Sequence, residues 1–520
     1  MSYFPMYETK IKEAEMEMTL TYCMIHFSLA DGLPAELMIH IFHLVLASEP
    51  CDLGLLSKAG KCLAMQTPTS NDFSSVESFT IYPDHLAQVC SRWRQIPLSS
   101  PSLWSYIDLI PHQKIHKGTL ARARLHTKRA SPIPIVLHIH GDKGTYYNKQ
   151  DLEYFLVTIA RRTKSLDLGA IGSGTEFTQL VLITLLRESS SGPAELSQLT
   201  ASCFEKDHLY HPHFMSINQG WSNPGALRLA LPQSVIDDSL AELSILHLRG
   251  LFRHWLSGAY DNLVDLRLIA ASESFWPAIH ESDFQDILEA SPRLRILHFA
   301  FDIISTQARD SHITPVSLED LEVVNIVTPF PTDRAFPATS EPGDVLRIIA
   351  PGLKPLQLSI WHYSYRQRES STKELKNFFQ RSKITKFFGK GTYPPLDELL
   401  PYVSNLQVLA LDPHEFEFCP EKTLTVGRLA PAVSTLNHLI LVDWDYHKFD
   451  ELDLFLQYHP AKTVVLISYT VSSQSDQAEI WKLKRHPDIR VFSHHPGNRT
   501  SGSLDNWDIL SIHFGTILHL

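Results

Sequence analysis

Beyond about residue 160 one short pattern, Leu-x-x-Leu-x-Leu, recurs irregularly along the chain and restricts its fold more than any other feature. It stands as Leu243, Leu246, Leu248; Leu263, Leu266, Leu268; Leu294, Leu297, Phe299; and Leu321, Val324, Ile326. It continues as Leu353, Leu356, Leu358; Leu406, Leu409, Leu411; and Leu436, Leu439, Leu441, with weaker copies at Ile384, Phe387 and at Val464, Leu466. Most copies are roughly 20 to 32 residues apart. The last two apolar positions alternate, which predicts a short strand with one buried face. Helical patterns precede several copies: Phe284, Ile287 and Leu288 before Pro292, and Leu452, Phe455 and Leu456 before Pro460. One such unit cannot bury its own apolar face, whereas stacked neighbours can, and the expected product is a curved solenoid.

This region resembles leucine-rich repeats. It departs from them where an Asn or Cys is usual after the strand, since Leu251, Ala271, Asp302, Pro329, Trp361, His414 and Trp444 occupy those places. The expectation is therefore an irregular, degenerate solenoid. In it, the residue between the last two apolar positions projects from the concave sheet, which makes His247, Arg267, His298, Asn325 and Gln357 candidates for binding a target protein. Ala410 and Ile440 continue the row in apolar form.

The N-terminal part reads differently. Leu33-Pro34-Ala35-Glu36-Leu37-Met38-Ile39-His40-Ile41-Phe42 opens a helix, with Pro at a tolerated first position and Glu36 favourable to the dipole. Leu37, Ile41 and Leu44 follow helical spacing, and so do Met38, Phe42 and Val45, giving an apolar face wider than one core-facing stripe. A second helix begins near Pro83-Asp84, places Leu86, Val89, Cys90 and Trp93 on one face, and ends by Pro97. Ser100-Pro101 caps a further turn carrying Leu103, Trp104 and Ile107. So small a unit cannot hide that much apolar surface, and the surplus predicts a protein partner.

Leu-Pro-x-Glu-Leu with Ile-Phe, followed by Val-Cys-x-x-Trp-Arg and Ser-Pro-x-Leu-Trp, resembles an F-box of the F-box-like type abundant in fungal proteins. The resemblance implies docking on a Skp-type adaptor and, through it, a cullin. Carried over by match, Leu33, Pro34, Leu37, Ile41 and Phe42 would supply most of the adaptor-facing surface, with Val89, Trp93, Leu103 and Trp104 building or completing it. A long, mostly polar insert, about 48–82, departs from the family pattern, and surface insertions of this kind cost little. The expected fold class is α+β or α/β: a tail or helix over 1–30, a small all-helical F-box-like unit over 31–110, and the irregular repeat solenoid over 111–520.

A hydrophobic content of 44% with 20% charged residues is that of a globular chain. No apolar run reaches the length of a membrane span, and no secretory signal pattern is evident, which predicts an intracellular, cytoplasmic or nuclear protein without membrane contact. The net charge of −11 disfavours nucleic acid as a partner. The local basic stretch Lys114, Lys117, Arg122, Arg124, Lys128 and Arg129 reads as the solvated face of a helix buried through Leu120, Ala121 and Leu125, leading into a strand at Ile135-Val136-Leu137. The six cysteines never form Cys-x-x-Cys, so neither a disulfide framework nor a zinc site is expected.

Enzymatic signatures are sparse. His138-Ile-His140 puts two imidazoles on one strand face, the basis of an alternative reading as a metal-dependent hydrolase, although zinc requires a third ligand. Gly169 to Gly174 lacks dinucleotide and phosphate-loop spacing, and no Gly-x-Ser-x-Gly elbow occurs. The leading expectation is a non-catalytic, cofactor-free substrate receptor of a cullin–RING ubiquitin ligase, with a target whose identity the sequence leaves open. An F-box scaffold without a degradation role is the nearer alternative.

Overall fold

A computed structural model describes residues 32–48, 83–110, 116–142, 148–171, 175–189, 196–204, 213–217, 227–270, 276–305, 314–328, 340–362, 369–391, 400–412, 436–442, 456, 460–468 and 489–493. Two compact units divide the chain: residues 1–140 with 146–155 and 162–164, and a larger one formed by the remainder. The expected 1–30 segment, nearly all of the polar insert and the helix ahead of Pro460, apart from Leu456, lie outside the described residues.

In the first unit, helix α1 (Ala35–Ser48) is followed by α2 (Leu86–Val89), α3 (Ser91–Leu98) and a 3-10 turn (Pro101–Trp104). Strand β1 (Tyr106–Leu109), helix α4 (His116–Arg129) and strand β2 (Ile135–Asp142) come next, and β1 and β2 pair in parallel from Tyr106↔Val136 to Leu109↔Ile139. Helix α5 (Lys149–Ile159) begins in this unit. The expected all-helical unit is thus corrected to a mixed one. Ile107 and Leu109 alternate inward and need a second strand to satisfy their backbone, which the segment after α4 supplies.

The second unit is built on strands β3 (Thr163–Ile171), β4 (Gln198–Phe204), β5 (His213–Ile217), β6 (Leu227–Leu229), β7 (Ile245–Arg249), β8 (Leu251–Arg253) and β9 (Asp265–Ile269). They continue as β10 (Ala278–His280), β11 (Ile296–Ala300), β12 (Asp302–Ile304), β13 (Val316–Leu318), β14 (Val323–Val327), β15 (Ile349–Pro351) and β16 (Leu356–His362). The last are β17 (Ile384–Gly391), β18 (Val408–Asp412), β19 (Leu436–Val442), β20 (Ala461–Ser468) and β21 (Ile489–Ser493). Between them run helices α6 (Thr175–Ser189), α7 (Gln233–Leu240), α8 (Glu281–Ala290), α9 (Pro342–Leu346) and α10 (Glu369–Arg381). The main sheet is parallel, in the order β3-β4-β7-β9-β11-β14-β16-β17-β18-β19-β20-β21. Smaller parallel groupings, β6-β5-β8, β10-β12 and β13-β15, flank it.

The leucine pattern falls on this sheet in register. Leu199, Leu246, Leu266, Leu297, Val324, Leu358, Phe387, Leu409 and Leu439 are cross-strand neighbours in one continuous buried row. Helices cover that face, α8 setting Phe284 against Phe299 at 4.3 Å between ring centroids and α10 setting Phe379 against Phe387 at 5.4 Å. Phe284, Ile287 and Leu288 are buried, as their spacing predicts. Leu353 breaks the pattern. It is exposed, and Ile348 and Ile349 are buried just upstream.

The expected solenoid is replaced by a large parallel α/β sheet, because the second face is also occupied. Every position of β9 and of β18 is buried. Ile269, Ala300, Val327, Trp361, Phe388, Val408, Ala410, Ile440, Val442 and Val465 form a second apolar cluster on the face opposite the leucine row. Strands buried on both faces are the mark of parallel sheets in α/β proteins, whereas the solenoid reading needed an open concave face.

Candidate docking surface

The candidate site lies wholly in the first unit. Helix α1 carries two apolar stripes one residue out of phase. Met38 and Phe42 turn inward to a core with Leu86, Ile96, Leu103, Trp104 and Ala130, against which Leu33, Ile39, Leu46 and Trp93 also pack. Leu37, Ile41 and Leu44 lie on the other stripe and remain 52%, 41% and 58% exposed. Val45, Val89 and Leu98 are further exposed apolar residues of the same unit. These residues answer the surplus of apolar surface inferred from the sequence, and Leu44, Val45 and Leu98 extend it beyond the residues carried over from the motif.

The nine carried-over residues therefore divide. Pro34, Leu37, Ile41 and Val89 are exposed; Leu33 and Trp93 are half-buried; Phe42, Leu103 and Trp104 are core. Trp104 is fully enclosed, donates its indole N–H to the Pro97 carbonyl at 2.7 Å, and meets the His126 ring edge-on at 5.0 Å. The Arg129 guanidinium lies 4.1 Å over the Trp104 ring. Phe42 and Trp93 are 5.2 Å apart between ring centroids, and Arg92 donates to the Leu33 carbonyl, tying α3 to the start of α1. His43 Nε2 and Ser102 Oγ, 2.9 Å apart, add a polar tie between α1 and the 3-10 turn.

Helix α4 differs from its expected phase. Leu120, Ala123 and His126 are buried, with Ala130 just beyond its end, while Ala121 and Leu125 face out. His126 can replace an apolar residue inside because it is bonded. Its Nε2 lies 3.3 Å from Asp84 Oδ2 and its Nδ1 3.2 Å from the Tyr106 carbonyl oxygen. Arg122 Nε donates to the same Asp84 oxygen at 2.6 Å. Burial alone would raise Asp84, but hydrogen bonds from His126 and Arg122, and their charge, bring it down to about 2.

The five target-binding candidates sit on the second face of the large sheet. His247, Arg267, His298 and Asn325 are neighbours on β7, β9, β11 and β14, but the residue in register with Asn325 on β16 is Ser359 rather than Gln357. They bond chiefly with one another. Thr200 Oγ1 and His247 Nδ1 are 3.4 Å apart, His247 Nε2 and Asp265 Oδ2 3.1 Å, and Arg267 forks onto both Asp265 oxygens at 2.9 Å. Burial would raise Asp265, yet bonds from His247 and Arg267 hold it well below the usual carboxylate range. Burial also depresses His298, to about 3, with Arg267 adding to the effect. His298 Nδ1, Asn325 Oδ1 and Ser359 Oγ are buried and have no hydrogen-bond partner among the described residues. Nothing in the leucine spacing signalled Asp265, which closes this ion pair.

His138 and His140 share a face of β2, and His138 stacks near the Tyr106 ring at 4.3 Å. Burial lowers both, His138 to about 3 with help from His140, and His140 to about 4. Among the described residues no third ligand joins them in a group fit to hold a metal. No described helix is long and apolar enough to cross a membrane. No family model matches the chain, and no curated protein sequence matches it.

Proposed function

We propose that this chain is the substrate-recognition subunit of a cullin–RING ubiquitin ligase, holding a Skp-type adaptor through its first unit and a target protein elsewhere. The observation that carries the reading is the outward stripe Leu37, Ile41 and Leu44 of α1, with Val89 and Leu98 exposed in the same unit, on helices whose motifs resemble an F-box. Burying the exposed half of each such side chain is worth about 1 kcal/mol, enough in sum to drive association. The mechanism is proximity. Tethering raises the effective concentration of target lysines near a charged ubiquitin carrier, and the chain needs no catalytic residue of its own. Such a protein works inside the cell.

The test is co-purification of full-length protein with a Skp-type adaptor. Wild type binds; Ile41→Asp, at an exposed site, folds normally and does not. A folded wild type that fails to bind refutes the reading. Accumulation of a bound cellular protein on deletion of the gene separates a receptor from a scaffold.

A further inference from the structure

We propose that Asp84 and His126 are positioning residues for the docking surface, latching the segment that carries α2 and α3 onto α4, and that the latch closes fully only around the imidazolium form of His126. This rests on the docking reading above and names how its surface is held. The argument is one of donors and acceptors. A backbone carbonyl and an ionised carboxylate only accept, and both ring nitrogens of His126 face such groups: the Tyr106 carbonyl at 3.2 Å and Asp84 Oδ2 at 3.3 Å. A neutral imidazole carries one N–H and satisfies one of them; the imidazolium donates to both. His126 is 1% exposed, so water does not replace the missing bond.

The groups facing this ring come from every side. Asp84 approaches from the turn before α2, Arg122 from the ring's own helix onto the same carboxylate oxygen, and the Tyr106 carbonyl from β1. The Trp104 indole meets it edge-on from the 3-10 turn, and Arg129 lies over that indole. From the latch the mechanical path is short. Two residues beyond Asp84 lies buried Leu86, then exposed Val89. Cys90 follows, and its Sγ accepts from the Trp93 N–H at 3.3 Å as the cap of α3. Trp93 in turn packs on Phe42 of α1. Opening the latch therefore shifts Val89 relative to Leu37 and Ile41 without touching either.

The full chain is compared as wild type, Asp84→Asn, Arg122→Gln and His126→Gln. Two readouts are used: adaptor binding by calorimetry, and alkylation of Cys90 by iodoacetamide at one fixed pH, followed on its own peptide. Asp84→Asn is expected to label about three- to tenfold faster, because the α2–α3 junction opens more often. It should bind the adaptor about tenfold more weakly, a loss of about 1.4 kcal/mol. Wild-type binding weakens as pH rises through the range in which His126 gives up its second ring proton, and the His126→Gln profile is flat. Labelling and binding of Asp84→Asn equal to wild type, or a flat wild-type profile, overturns the proposal. Should Asp84→Asn lose its helical signal, Arg122→Gln decides: intermediate labelling supports the latch and unchanged labelling overturns it. If wild type does not bind the adaptor, the docking reading falls, and Cys90 labelling alone still judges the latch.

Discussion

Replacing Trp104 by Ala separates the two roles that this residue could play. The F-box resemblance puts Trp104 among the residues that build or complete an adaptor surface, whereas the structure encloses it completely in the core of the first unit. Removing a buried Trp side chain costs about 3–5 kcal/mol in transfer and cavity terms. Its indole also satisfies the Pro97 carbonyl, and leaving that oxygen unpaired adds about 1 kcal/mol. A loss of about 4–6 kcal/mol is comparable with the whole stability of a typical domain. Hydrogen exchange of the full chain reads this locally, with protection of the α3, β1 and α4 amides expected to fall by about three to four orders of magnitude. Trp104→Phe keeps a ring in place and should lose far less. Ile41→Ala, at an exposed position, should leave exchange within about 0.5 kcal/mol of wild type. If Trp104→Ala leaves these amides protected to within tenfold of wild type and nevertheless abolishes adaptor binding, Trp104 is a contact residue and the packing argument is wrong.

Acid should weaken the fold before carboxylates are reached. His138 and His298 are depressed to about 3, and His140 and His362 to about 4, in each case first by burial. The unfolded chain, titrating near 6.5, then binds more protons than the folded one below that pH. The stability they confer is whole above about pH 6.5 and is lost as pH falls toward 3–4; urea midpoints flat from about pH 7 to 4.5 would contradict this, and His298→Gln should shallow the slope. Two glycine substitutions should move in opposite directions in thermal melts. A Cβ at Gly343 would stand 2.5 Å from the Ser371 backbone oxygen, so Gly343→Ala should cost about 1–3 kcal/mol by forcing α9 off α10. Nothing lies within 4 Å of a Cβ at Gly118 in α4, so Gly118→Ala should be neutral or stabilising, by up to about 1 kcal/mol. A destabilised Gly118→Ala would show that α4 is packed differently.

The strand positions were legible because alternation is a local property. Leu246, Leu248, Leu266, Leu268 and their successors are buried where the pattern places them, and the pattern failed at Leu353, ahead of the strand, where Gly352 closes on the backbone of Glu319. The second face was misread for a physical reason. Residues between the leucines were taken as solvated strand positions, yet Val408-Leu409-Ala410-Leu411 and Leu439-Ile440-Leu441-Val442 are unbroken apolar runs, the composition of strands buried on both sides. That signal was present and pointed away from an open concave face. In the first unit, periodicity revealed a helix with too much apolar surface but carried no phase. Whether Met38 and Phe42 or Leu37 and Ile41 turned inward was settled by Trp93 and Trp104, distant in sequence. His126, set among six basic residues, looked like part of a solvated run until Asp84 and the Tyr106 carbonyl were placed around it.

These corrections change what recognition of a target would require under the proposed function. Polar residues on the second face are spent internally: Thr200, His247, Asp265 and Arg267 form one chain of contacts, and Lys390 pairs with Asp412 at 3.3 Å while lying over the Trp361 ring. A target meeting His298 or Asn325 would first have to uncover side chains that are almost wholly buried. A sheet occupied on both faces keeps its rim, its strand ends and its connections for binding, as parallel α/β proteins do generally. The sheet then acts as a rigid spacer rather than as the recognition surface itself. Specificity would reside in segments whose sequence varies from one strand connection to the next, which is also why a pattern conserved from strand to strand, like the leucine row, says so little about what is bound.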